Sequence, residues 1–136
     1  MLKQICFFRK RPDMTIEEFM DYYENQHSQL AKKTGAKPAI PGAVRYVRRY
    51  LVPEKNPVTG EVHDPGYDCI MEIWWNSRED FERSQAIISD PARLPITMED
   101  EKKLFASHAN PVCTCIEYDS PMGPEGQPVR VEVKYD

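Results

Sequence analysis

Residues 67–77, Tyr67-Asp68-Cys69-Ile70-Met71-Glu72-Ile73-Trp74-Trp75-Asn76-Ser77, decide the fold of this chain. Nine residues rich in aromatic and β-branched types, entered from Gly66 and left through a helix-capping pair, read as one strand. Strand side chains point alternately to opposite faces. Tyr67, Cys69, Met71, Ile73 and Trp75 therefore share the more apolar face, which is assigned to covering helices. Asp68, Ile70, Glu72 and Trp74 share the other. That second face is too apolar to stand in water, and a face-to-face dimer closing into a barrel would cover it.

Outward from this strand the pattern changes period twice. On the C-terminal side Asn76 or Ser77 caps a helix through about Ile88, which Asp90-Pro91 ends. Thr97 with Asp100 opens a short helix to about Ser107, and residues 112–118 read as a strand. On the N-terminal side residues 43–52 alternate as a strand, joined to 67–75 by a turn-rich connection at 53–66 that holds Asn56, Pro57, Gly60, Asp64 and Pro65. Residues 2–9 form the first strand, broken by Arg11-Pro12-Asp13. Thr15 and Glu18 are spaced as a capping box, and a helix starts there. Stepping 100° per residue puts Ile16, Phe19, Met20, Tyr23, His27, Leu30 and Ala31 within an arc of about 120°. Gly35, Pro38 and Pro41 then close the helix. The order β-α-β-β-α-β predicts an α+β, ferredoxin-like antiparallel sheet with its helices on one face. One domain over residues 1–118 is expected. In the tail, 119–136, Val129, Val131 and Val133 alternate with charged residues, which suits an added edge strand or one given to a partner subunit.

At 136 residues one domain can bury a real core without staples. With 22 acidic against 18 basic side chains the net charge is −4, which argues against nucleic acid as a partner. No run approaches the ~20 apolar residues of a membrane span, and the N-terminus lacks the pattern of a signal peptide, so a cytoplasmic protein with no membrane partner is expected. Cys6, Cys69, Cys113 and Cys115 lie in predicted strands with no CxxC spacing and read as buried free thiols; no metal site is expected.

His27 stands out because an imidazole on a core-facing stripe must find a hydrogen-bond partner or border a cavity. Imidazole titrates near neutrality, which suits proton transfer, while a histidine bonded to a strand carbonyl is the structural alternative. Tyr23 lies one turn earlier on the same stripe. Glu101 and His108 share the face of the third helix and read as its solvent border. Glu72 is read either as a buried acid or as the partner of an arginine across a dimer interface. No phosphate-cradling loop, nucleophile elbow, H-E-x-x-H or dinucleotide fingerprint is present, so cofactor-bound redox and phosphoryl-transfer chemistry have no support.

The segments Phe7-Phe8-Arg9-Lys10-Arg11-Pro12-Asp13-Met14-Thr15-Ile16-Glu17-Glu18-Phe19, Tyr22-Tyr23-Glu24-Asn25-Gln26-His27, 67–77 and Glu99-Asp100-Glu101-Lys102-Lys103-Leu104-Phe105 together resemble EthD-domain proteins of the dimeric α+β barrel superfamily, over roughly residues 2–118. The 53–66 connection and the tail depart from that pattern. The resemblance implies a homodimer and a cofactor-independent enzyme acting on a small aromatic or polyketide-like substrate, by cyclisation, decarboxylation or elimination next to a carbonyl. Alternatives are a cofactor-free monooxygenase, which the resemblance also admits, and a non-catalytic small-molecule-binding dimer with His27 merely hydrogen-bonded in the core. The resemblance implies a pocket between helices and sheet, lined here by Gln4, Cys6 and Phe8 from the first strand, Phe19, Tyr23 and His27 from the first helix, and Met71 and Trp75 from the third strand. His27 would be the acid or base and Tyr23 its donor or orienting partner. The catalytic Tyr and His of cyclase relatives lie in a later segment with no counterpart here, so their mechanism is not carried over.

Overall fold

In the computed structural model, which describes residues 1–30, 42–121, 125–126 and 132–133, strand β3 (Cys69–Trp75) is flanked along its whole length. On one side lies β1 (Leu2–Phe8), in antiparallel register from Leu2↔Trp75 to Phe8↔Cys69. On the other lies β2 (Ala43–Tyr50), with β4 (Val112–Thr114) on the far side of β1. Helix α1 (Ile16–Asn25) and a 3-10 turn (His27–Gln29) connect β1 towards β2, while α2 (Arg78–Ile88) and α3 (Leu94–Glu101) lie between β3 and β4. In the strand order β2-β3-β1-β4 each β-α-β unit is split by an antiparallel strand. This is the ferredoxin-like layout.

Local chemistry sets the helix starts. At α1 the Thr15 hydroxyl accepts from the Glu18 amide and the Glu18 carboxylate accepts from the Thr15 amide, both at 3.1 Å, completing the expected capping box. Ser77 caps α2 by accepting from the Asp80 amide. Gly42 opens β2 at φ +82°, where a Cβ would lie 2.8 Å from the Asp80 side chain, so both backbone and space demand glycine. Beyond it Val44 bulges out of the ladder, since Ala43 faces Trp75 and Arg45 already faces Trp74. The bulge sets Tyr46, Arg48 and Tyr50 on the helix side of the sheet.

The core lies between that side of the sheet and the helices. Trp75, Tyr23, Phe19, Leu104 and Cys69 are fully buried, packed with Cys6, Phe8, Met71, Ile73 and Phe105. Gln4, buried among them, accepts from the Trp75 indole at 3.0 Å, which removes the cost of burying that N–H.

Several expectations are corrected. Tyr67 lies before the paired strand, so alternation does not reach it, and its ring meets Phe7 at 5.2 Å on the opposite face of the sheet. The first helix ends at Asn25, because the Ser28 hydroxyl takes the Glu24 carbonyl at 2.6 Å in place of a helical amide. Met20, placed on the stripe, is exposed. The third helix starts at Leu94 rather than Thr97, with Pro95 in the first turn where its missing N–H is harmless, and Asp100 is not a capping residue. The fourth strand stops at Thr114, as β1 offers it partners only from Gln4 to Cys6. Glu72 pairs at 2.8 Å with Arg49 of the same chain, on the adjoining strand. Cys6 and Cys69 are buried free thiols as read, but Cys113 and Cys115 are exposed. Ala31, Gly35, Pro38, Pro41, Val129 and Val131 lie outside the described residues, and Val133 is exposed. Among the described residues no helix is long and apolar enough to cross a membrane.

Candidate functional site

His27 follows α1 directly, and the break in the helix still leaves its ring beside the core. Tyr23 meets it edge-on, with centroids 4.9 Å apart, and Phe105 does the same at 5.4 Å. The imidazole is thus wedged between two aromatic rings at the rim of the core. Its Nδ1 lies 2.6 Å from Oδ2 of Asp100, the penultimate residue of α3. The other oxygen, Oδ1, accepts from the Tyr22 hydroxyl at 2.7 Å. Burial raises the proton affinity of Asp100, but hydrogen bonds from His27 and Tyr22, with the His27 and Lys103 charges, outweigh it and hold the carboxyl below the usual aspartate range. An ionised carboxylate only accepts, so Nδ1 carries the proton and Nε2 presents its lone pair. Among the described residues Nε2 has no hydrogen-bond partner, and the His27 side chain is 16% exposed. A carboxylate-oriented neutral imidazole can take a proton through its second nitrogen from a molecule that reaches it.

Tyr23 is placed differently from a donor at His27. Its hydroxyl is 3.0 Å from that of Tyr46, and burial pushes the phenol well above its ordinary value. Only its ring touches the imidazole. Beside it, Glu24 accepts from the Tyr50 hydroxyl at 2.6 Å and from the Arg48 guanidinium, which hold it ionised. Of the other residues assigned to a pocket wall, Gln4, Cys6, Phe8, Phe19, Met71 and Trp75 are each at most 8% exposed and lie within the core. Burial pushes the Cys6 thiol up to about 11, which leaves it a neutral filler rather than a nucleophile.

Asp100 and Tyr22 are the functional candidates that spacing missed. Asp100 was assigned to a cap, although an acid four residues before the fully buried Leu104 is a signal in its own right. Tyr22 lies about 120° from the centre of the apolar stripe of α1 and carries no signal of its own.

A second histidine–carboxylate pair hangs from the next residue of α3: His108 Nδ1 lies 2.8 Å from Oε2 of Glu101. His108 borders a shallow concavity of about 510 Å³ with Arg11, Asp13, Lys102, Phe105 and Ser107. There Arg11 is taken up by both oxygens of Asp13, at 2.9 and 2.6 Å. Another concavity, of about 370 Å³, lies by the 53–66 connection at Arg9, His63 and Tyr67. Among the described residues no cluster of His, Cys, Asp and Glu has the makings of a metal site.

The EthD domain model matches residues 11–108, a span that takes in α1, both histidine–carboxylate pairs and Phe105. No curated protein matches significantly. Three solved structures are similar along nearly their whole lengths. An ethyl tert-butyl ether D (EthD) family protein from Bacillus halodurans C-125 is 17% identical with a TM-score of 0.53, covering 87% of this chain and 100% of its own. The Arabidopsis thaliana protein At3g17210 is 14% identical with a TM-score of 0.55, covering 89% and 99%. HapK from Hahella chejuensis is 12% identical with a TM-score of 0.51, covering 90% and 100%. At such identities the likeness to these structures is one of fold alone, whereas the domain match takes in well over half of the sequence, and the chain belongs to the EthD domain family.

Proposed function

We propose that this protein is a cofactor-independent acid/base enzyme that takes a proton from carbon next to a carbonyl in a small aromatic or polyketide-like substrate, leading to cyclisation, decarboxylation or elimination. The observation that carries this reading is the 2.6 Å bond from His27 Nδ1 to Asp100, with Nε2 unpartnered among the described residues. His27 is the base at Nε2. Asp100 holds the tautomer and stabilises the imidazolium once the proton has moved. Tyr23 supports the ring through its edge-on contact rather than through its hydroxyl. Phe105 and Tyr23 shelter the imidazole from water on the core side.

The working unit in this reading is a homodimer of the 1–118 domain. Ile5, Phe7, Val47, Ile70 and Trp74 lie on the sheet face away from the helices, only half-buried, and the Trp74 indole nitrogen is buried without a partner among the described residues. A second copy laid on this face would remove those rings from water. A second reading, a non-catalytic protein in which His27 is a hydrogen-bonded residue at the rim of the core, is favoured by one observation: Cys6, Phe8, Phe19, Tyr23, Met71 and Trp75, assigned to the pocket wall, belong to one buried cluster.

Hydrogen–deuterium exchange separates the two readings. Aryl methyl ketones in D2O exchange their α-hydrogens slowly unaided, and proton NMR follows the loss of signal. The wild type is expected to accelerate exchange, and His27→Ala and His27→Gln to lose about 100-fold or more of it while melting as folded proteins. Exchange that survives both substitutions would overturn the catalytic reading.

A further inference from the structure

Asp100 is shared between two donors from one short stretch of chain. Tyr22 belongs to the last turns of α1 and His27 to the 3-10 turn that follows, and each binds a different oxygen of the same carboxylate, at 2.7 and 2.6 Å. That carboxylate is nearly buried, so no shell of water evens out its charge. Charge drawn towards one donor is therefore unavailable to the other. A carboxylate that also binds a phenol grips an imidazole N–H less strongly than a free one does, and it stabilises imidazolium less.

We infer that Tyr22 is a positioning residue for His27, acting through Asp100: its hydroxyl sets how firmly the carboxylate holds Nδ1–H and thereby how basic Nε2 is. The influence also runs the other way. Burial, with the hydrogen bond to Asp100, pushes the Tyr22 phenol up to about 12, so the hydroxyl stays protonated and remains a donor over the whole working range of pH. Among the described residues the other titratable groups around the imidazole are few. Tyr23 presents a ring edge, and Lys103, in the turn after α3, acts on Asp100. Glu24, one residue back from Asn25 at the end of α1, is neutralised by Arg48 and bound by Tyr50. Among the described residues Tyr22 is thus the one side chain besides His27 itself that is hydrogen-bonded to the carboxylate orienting it. In terms of turnover the inference rests on His27 being the base proposed above, but the coupling itself does not.

NMR of the His27 ring in the full chain tests the coupling without any substrate. In the wild type the Nδ1–H tautomer is expected, with its proton shifted downfield. In Tyr22→Phe that proton moves further downfield, and the imidazole titrates about half a unit higher, since the carboxylate is released to it. In Asp100→Asn the downfield proton disappears and the titration moves down by about one unit. The double variant behaves as Asp100→Asn alone. A Tyr22→Phe ring that titrates unchanged, or moves in the same direction as in Asp100→Asn, overturns the inference. The phenol gives a second measurement. In Asp100→Asn the Tyr22 ring carbon is expected to report ionisation displaced from about 12 towards the ordinary 10.0, and an undisplaced value counts equally against the coupling. Failure of the proposed enzymic reading looks different: exchange is indifferent to His27 while these titrations still shift.

Discussion

Asp100 and Glu101, adjacent at the end of α3, each hold a histidine by Nδ1, and the two pairs could hardly differ more in setting. His27 and Asp100 are 16% and 9% exposed, wedged between Tyr23 and Phe105, while His108 and Glu101 are 36% and 21% exposed beside an open concavity. The bond lengths, 2.6 and 2.8 Å, are nearly alike. What separates the pairs is the surrounding dielectric and the count of donors. Water competes for Glu101 and screens its pairing, so that contact is worth little net free energy. Among the described residues Asp100 has two side-chain donors, Tyr22 and His27, in a nearly buried setting. Two adjacent acids thus yield one surface contact and one candidate base from the same chemistry.

The largest effect expected is on stability. Asp100→Ala strands the Tyr22 hydroxyl and the His27 Nδ1–H in a nearly buried site and should cost about 3 kcal/mol in urea unfolding, whereas Glu101→Ala should cost under about 1 kcal/mol. Equal costs would erase the distinction between the pairs. A smaller effect is expected with pH. The folded carboxyl of Asp100 lies below its unfolded value of 3.8, so its contribution is present above that value and lost as pH falls through the folded one. Tyr22 has the opposite sign. Its folded phenol is raised to about 12 from 10.0, so its contribution is complete below pH 10 and disappears as pH rises towards 12. Chemical denaturation across pH should show both limbs in the wild type, and Asp100→Asn should abolish the acid limb and shrink the alkaline one, of which burial of the phenol is the larger cause. The smallest effect is that of salt. Raising ionic strength to about 1 M shortens screening to about 3 Å, and should remove what little His108→Ala changes while leaving the penalty of Asp100→Ala nearly intact.

Much of the fold was readable because its determinants are local. The Thr15–Glu18 box, the Ser77 cap and the alternation of Cys69 to Trp75 each depend on residues a few positions apart, and all three stand in the structure. Where the reading failed, the interaction was side chain to backbone or crossed the chain. Ser28 ends α1 by capturing the Glu24 carbonyl, which helical stepping ignores. Thr97 and Asp100 fit a cap by spacing, but Pro95 had already started the helix and Asp100 was drawn to partners 73 and 78 residues away.

The candidate site divides the same way. Sequence alone determined that His27 sits on the core-facing side of the first helical stretch, that β3 buries Cys69, Met71, Ile73 and Trp75 against helices, and that the chain resembles EthD-domain proteins, while the structure moved His27 into a 3-10 turn beyond the helix end. Periodicity carries those facts, because burial repeats with the geometry of helix and strand. Only the tertiary structure decided that His27 meets Asp100, that Tyr22 rather than Tyr23 shares the carboxylate, and that His108 stays at the surface. Such pairings depend on where the end of α3 meets Tyr22 and the 3-10 turn after α1. Packing brings distant residues within hydrogen-bond reach, and no local period records which ones they are.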